Sequence, residues 1–186
     1  MKKVRVVFLD RDGVINEYPG KYKYVTSVEG FRLLPGAREA LARLIKADFR
    51  LFVISNQAGV AKGLFSQRTL DDITQAMLSG LGPDIRFEKI FYCTHLPDAQ
   101  CSCRKPGTAF IDAAEAQLNA HGMRIDRPKS YFVGDSIRDI ETGRKAGVRT
   151  ILVFSGSEHP DNEREWQVRP DACAAGISEA VDRILS

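Results

Sequence analysis

The sequence predicts an α/β fold, a Rossmann-like parallel sheet with helices on both faces. Three observations predict it. Short apolar runs rich in β-branched residues alternate along the chain with amphipathic stretches of helical period. The runs are apolar almost throughout, which suits strands covered on both sides rather than one. Three of them stop abruptly in residues that carry chemistry: Asp10 and Asp12 after the first, Ser55, Asn56 and Gln57 after the second, and Asp135 after a later one. In a parallel sheet these ends share one edge, and open parallel sheets hold ligands there.

The first strand is Val4 to Leu9, running into Asp10-Arg11-Asp12-Gly13. Packing gives no reason for a buried strand to end in two carboxylates. Residues 14–35 mix aromatics, glycines and charges without helical period, and read as a long loop or small flap. Pro35-Gly36 opens a helix with Leu41, Leu44 and Ile45 on one face. Phe49 to Ile54 is the second strand. Ser66 suits the N-cap of a helix over 67–80, with Leu70, Ile73, Met77 and Leu78 inward. Lys89 to Tyr92 is a third strand, followed by a cysteine-rich loop.

A helix beginning after Gly107 places Phe110, Ile111, Ala114 and Leu118 at helical spacing and closes near His121-Gly122. Ser130 to Val133 is the fourth strand, ending in Gly134-Asp135-Ser136. A helix over 136–146 stops at Gly147, and Thr150 to Phe154 is the fifth strand. Residues 155–168 read as a loop with a helical turn. Asp171 to Ala174 forms a last short strand and Ile177 to Leu185 a closing helix.

A chain of 186 residues predicts a single domain over 1–186 with a sizeable core. Its 44% hydrophobic and 27% charged content is that of a globular protein in water. A net charge of +3 gives no argument for nucleic acid, and no apolar run approaches a membrane span. The opening lysines lead into a short apolar run and then Asp10, which is not a signal-peptide pattern, so a cytoplasmic monomer is expected.

The strand-end residues match the needs of phosphoryl transfer. A carboxylate can attack phosphorus and split hydrolysis into two steps. A second carboxylate two residues on points to the same side of an extended backbone, where it can protonate the leaving alkoxide and later activate water. Several carboxylates attract Mg²⁺, which screens the repulsion between anionic nucleophile and anionic phosphate. A hydroxyl at Ser55 and an ammonium at Lys105 would hold the remaining phosphate oxygens.

Asp10-x-Asp12-Gly13, Ser55 after a strand, Lys105-Pro106 and Gly134-Asp135-x-x-x-Asp139 stand in the order of the four motifs of the haloacid dehalogenase superfamily. The chain resembles that superfamily over residues 4–155, and the second aspartate resembles its phosphatases. The resemblance implies Asp10 as nucleophile and Asp12 as general acid/base. It implies Mg²⁺ held by Asp10, the Asp12 backbone carbonyl and Asp135, with Ser55 and Lys105 on the phosphoryl group. Asp139 would orient Lys105 or a water.

Cys93-Thr94-His95 and Cys101-Ser102-Cys103 offer three thiols and an imidazole within a short loop over 93–105. A Cys₃His set suits a structural Zn²⁺ with no open position. A disulfide or a free-thiol cluster are the alternatives. Cys103 runs directly into Arg104-Lys105-Pro106, so a metal clip would fix the backbone that aims Lys105.

These features together resemble the heptose bisphosphate phosphatases and, closely behind, the histidinol-phosphate phosphatases. Both are capless, with the 14–35 segment in place of a cap domain. The resemblance implies substrate contacts from Asn56, Gln57 and Arg104, with Tyr18 to Lys21 at the rim and a phosphorylated sugar or histidinol phosphate as partner. Two departures bear on that choice. The loop between the metal-ligand pairs is short, and Ser136 stands where some heptose enzymes carry lysine. The rival of another class is a non-catalytic, zinc-stabilised binding module. It would need a basic face interleaved with aromatics, which the sequence does not display.

Overall fold

The computed structural model describes all of residues 1–186. Its centre is β1 (Lys2–Leu9). On one side β1 pairs with β2 (Phe49–Asn56), which pairs with β3 (Lys89–Cys93). On the other side lie β5 (Tyr131–Gly134), β6 (Arg149–Val153) and β7 (Ala172–Ala174). The order is β3-β2-β1-β5-β6-β7, and every pairing is parallel. The chain therefore leaves β1, β2, β3 and β5 at the same edge. That edge receives Asp10, Ser55 to Gln57, the cysteine loop and Asp135.

The two-residue period of β1 sorts its side chains between two layers. Val7 and Leu9 join a cluster with residues of α1 (Ala37–Lys46), α2 (Gln67–Leu81) and α5 (Ile177–Leu185). Val4, Val6 and Phe8 join a second cluster with α3 (Ala109–Ala120). Phe8 lies 5.6 Å from the Phe52 ring and 6.1 Å from the Phe132 ring, so three adjacent strands present one aromatic strip to that layer. On the same side, α4 (Ile137–Lys145) packs close to β5 and β6. A methyl group at Gly143 would stand 2.6 Å from Thr150 Cγ2 and 2.9 Å from Phe132 Cβ, so only glycine permits this approach.

Helix ends follow local chemistry. The Ser66 hydroxyl accepts from the Thr69 amide at 3.0 Å, capping α2 as its sequence predicts. At α4, the Ser136 amide and hydroxyl both donate to Asp139 Oδ2, at 3.0 and 2.7 Å.

Two segments differ from the sequence expectation. Met123–Ile125 forms an additional strand, β4, which pairs with the first residues of β1. Three residues are too few to display a period. Residues 14–35 are anchored more firmly than a flap: Val14, Ile15, Val25 and Phe31 are buried in the larger cluster. The Leu34 amide donates to Ile15 O at 3.0 Å, and the Glu17 amide to Arg32 O at 2.8 Å. Only the tip around Tyr18 to Tyr24 is left to face the sheet edge. Pro160–Glu165 forms the helical turn expected between β6 and β7. No helix is long and apolar enough to cross a membrane.

Candidate active site

A cavity of about 720 Å³ opens at the carboxyl edge of the sheet. Asp10, Asp12, Ser55, Lys105 and Asp135 lie in its floor, so one cavity gathers residues from four separate strand exits. Asn56 and Arg104 also line it.

Asp10 is held from two sides. The Arg11 backbone amide donates to its Oδ1 at 2.6 Å, and Lys105 Nζ stands 2.7 Å from its Oδ2. The same ammonium lies 2.6 Å from Asp139 Oδ1. Asp139 thus reaches Lys105 with one oxygen and caps α4 with the other. Backbone placement of Lys105 comes from Asn56. The Lys105 amide donates to Asn56 Oδ1 at 3.0 Å, and Asn56 Nδ2 donates to Lys105 O at 3.2 Å.

Asp135 is enclosed by glycines. A methyl at Gly13 or Gly156 would stand 2.6 or 2.1 Å from its Oδ2, so neither position tolerates a side chain. The Ser157 amide donates to the same oxygen at 2.7 Å. Oxygens of Asp10, Asp135 and Asp139 lie within 4.8 Å of one another. One lysine faces these three buried carboxylates. Burial pushes Asp10 up to about 6; Lys105 opposes the push and the Asp139 charge adds to it. Burial, then the charges of Asp10 and Asp139, hold Asp135 well above the usual carboxylate range. For Lys105, burial favours the neutral amine, but the Asp10 and Asp139 charges prevail and its pKa rises. The excess of buried negative charge suits a hard divalent cation with oxygen ligands.

Asp12 sits in a separate grip. Arg11 Nε donates to its Oδ1 at 2.9 Å and Arg11 Nη2 to its Oδ2 at 3.1 Å. Asn16 Nδ2 donates to Oδ1 and Gln57 Nε2 to Oδ2, each at 2.9 Å. Gln57 Nε2 also lies 3.2 Å from Ser55 Oγ. Gln57 stands behind this grip. It has no surface on the cavity: it is completely buried, its Nε2 turns to Asp12 and Ser55, and its Oε1 has no partner. Arg11, Asn16 and Ser157 are the partners that sequence reasoning missed.

The cysteine loop has the shape of a metal site. Cys93 Sγ lies 3.6 Å from Cys101 Sγ and 3.4 Å from Cys103 Sγ. His95 Nδ1 lies 3.6 Å from Cys93 Sγ and 3.2 Å from Cys103 Sγ. A Zn–S bond of about 2.3 Å gives a tetrahedron edge near 3.8 Å, close to these separations. A disulfide needs sulfurs about 2.05 Å apart, so none is formed, and all the cysteines are free. Burial, then Cys93 and Cys101, push the Cys103 thiol up to about 12. Cys101 goes the other way: although desolvation opposes it, the Arg104 amide and neighbouring thiols bring it down to about 7. The loop is tied to the floor, since the Gln57 amide donates to Cys93 O at 2.7 Å.

The wall above the floor is basic and aromatic. Lys23, Lys62, Arg138 and Lys145 line it, with Tyr18, Tyr22 and Tyr24 from the 14–35 segment. The flap tyrosines therefore border the cavity. Tyr24 also packs on Phe65 at 6.2 Å, with Lys62 Nζ 5.3 Å from its ring.

Comparison with known proteins agrees with this geometry. The HAD-hydrolase-like family model matches residues 102–180. The D-glycero-D-manno-heptose-1,7-bisphosphate 7-phosphatase of Chlorobaculum tepidum is 35% identical over 97% of this chain and 94% of its own length. The D-glycero-beta-D-manno-heptose-1,7-bisphosphate 7-phosphatase of Escherichia coli K12 is 33% identical over 89% of this chain and 88% of its own. Among solved structures, the D,D-heptose 1,7-bisphosphate phosphatase of B. bronchiseptica, complexed with magnesium and phosphate, superposes with a TM-score of 0.84 at 30% identity over 98% of each chain. Identity of 33 to 35% over most of each chain leads to one conclusion: the chain belongs to the haloacid dehalogenase-like phosphatase family that includes these enzymes.

Proposed function

We propose that the chain removes the 7-phosphate of D-glycero-D-manno-heptose 1,7-bisphosphate through a phosphoenzyme on Asp10. The observation that carries the mechanism is the Lys105 ammonium 2.7 Å from Asp10 beside Asp135, on the floor of a cavity with basic walls. The similarity to the phosphatases named above supports this substrate over histidinol phosphate.

In the first step an Asp10 oxygen attacks phosphorus and forms the O–P bond. The bond to the sugar oxygen breaks, and Asp12 delivers its proton to the leaving alkoxide. In the second step Asp12 takes a proton from water as that water attacks phosphorus. The Asp10–phosphorus bond breaks and inorganic phosphate leaves. Ser55 and Lys105 hold the transferring oxygens, and Arg104 reaches the rest of the substrate. Asn56 contacts substrate and fixes Lys105 through its two hydrogen bonds. Asp10, Asp135 and the Asp12 carbonyl would hold Mg²⁺, which supplies charge neutralisation between nucleophile and phosphate. Cys93, His95, Cys101 and Cys103 would hold one structural Zn²⁺.

The test is phosphate release from heptose 1,7-bisphosphate and histidinol phosphate, side by side with Mg²⁺. The expected outcome is a large preference in kcat/KM for the bisphosphate, and a preference for histidinol phosphate refutes the substrate. Asp10→Asn should abolish turnover while the circular dichroism spectrum stays unchanged. Retained turnover refutes the nucleophile.

A further inference from the structure

Arg11 stands between the two aspartates of the motif, yet it does not face the cavity. Its side chain is fully buried, and no part of it lines the cavity. It therefore touches no ligand there, unlike Arg104. Its guanidinium turns inward, 5.6 Å from the centre of the Tyr92 ring. From there Nε and Nη2 grip the two oxygens of Asp12, and Nη2 also lies 2.8 Å from Oδ1. Burial alone would favour neutral arginine, but the Asp12 charge prevails and raises the pKa. Gln57 completes the grip on Oδ2 at 2.9 Å.

A planar fork on a planar carboxylate fixes its orientation as well as its position. Asp12 has only a short side chain, so its oxygens stay where Arg11 and Gln57 hold them. A carboxyl that serves a leaving oxygen must stand within hydrogen-bond reach of it, and a displacement of about 1 Å can cost about a hundredfold in rate.

We propose that Arg11 and Gln57 are positioning residues for proton transfer by Asp12: buried behind it, they aim its carboxyl at the leaving-group oxygen. This rests on the phosphatase reading above. It deepens that reading by assigning a role to two side chains that cannot reach substrate.

Leaving-group dependence tests the proposal. An alkoxide from a sugar needs a proton as it departs, whereas p-nitrophenolate leaves without one. The quantity to compare is kcat/KM, which covers only the steps through loss of the leaving group. Arg11→Met and Gln57→Met should lower kcat/KM for the sugar phosphate by ~10²-fold or more, and that for p-nitrophenyl phosphate by less than ~5-fold. A merely structural role would lower both alike. Thermal unfolding is followed for each variant. If the loss of a buried arginine prevents folding, Gln57→Met, which removes a neutral group, decides alone. Equal losses on both esters, or no loss on the sugar phosphate, overturn the proposal. A wild-type chain that hydrolyses neither ester overturns the phosphatase reading, and this inference with it.

Discussion

Asp10 and Asp135 belong to a cluster with more carboxyls than ammonium groups. Both are buried beside Asp139, and the single ammonium of Lys105 is shared between Asp10 and Asp139. Burial lifts Asp10 to about 6, and Asp135 is lifted as well. The sign follows from linkage. A carboxyl raised above its unfolded value of 3.8 favours folding while protonated, and that contribution is lost as pH rises through about 6. A cation in the same place takes over from the proton. Saturating Mg²⁺ should therefore raise the melting temperature more at pH 8 than at pH 5, measured by calorimetry. Equal shifts at both pH values would count against Asp10 and Asp135 as the metal's ligands. At this scale the sequence was informative for a physical reason. Asp10, Ser55 and Asp135 each interrupt an apolar run, and a polar residue at a buried strand's end has few structural excuses. The partners of Asp12 were illegible for the opposite reason. Polar residues beside a site look like ligand contacts until the backbone shows which way they turn.

Among the elements, the stretch from β3 to α3 depends most on something other than its own backbone. Residues 94–108 contain no helix or strand, yet they carry Arg104 and Lys105 into the cavity. A segment of that length is costly to order unless its ends or middle are clipped together. A cation held by Cys93, His95, Cys101 and Cys103, whose ligand atoms lie within 4.8 Å of one another, would provide such a clip, and Cys93 O accepts from the Gln57 amide behind Asp12. Purified protein should hold about one Zn per chain by elemental analysis. Replacing Cys103 by Ser should lower both the melting temperature and kcat, because Lys105 follows Cys103 by two residues. Unchanged kcat after complete loss of zinc would separate the loop from the chemistry. The cluster of Cys93, His95, Cys101 and Cys103 was legible because three thiols and one imidazole stand at close spacing. Elements with strong local signals were legible too: α2 begins at its Ser66 cap. The short β4 was not, because its place is decided by pairing with β1 rather than by any pattern of its own.

Across the whole molecule, charge is distributed unevenly. The net charge is only +3, but Lys23, Lys62, Arg104, Arg138 and Lys145 converge on the cavity walls above an acidic floor. No local pattern in the sequence announced this rim. Its members come from the 14–35 segment, the β2–α2 connection, the cysteine loop and α4, and only the parallel topology brings them together. A sugar bisphosphate approaches with two groups of about −1.5 to −2 each. Converging cations raise the encounter rate of such a ligand, and salt shortens their reach, from about 30 Å at 0.01 M to about 3 Å at 1 M. At fixed Mg²⁺, kcat/KM for the bisphosphate should fall more steeply with ionic strength than kcat/KM for p-nitrophenyl phosphate, which bears one phosphate. Lys145 sits near the outer end of α4, half exposed and paired with Glu141 at 2.8 Å. Lys145→Glu should flatten the salt dependence for the bisphosphate while leaving kcat at saturation nearly unchanged, since the floor is untouched. Identical salt slopes for the two esters would mean that the rim does not act on the second phosphate.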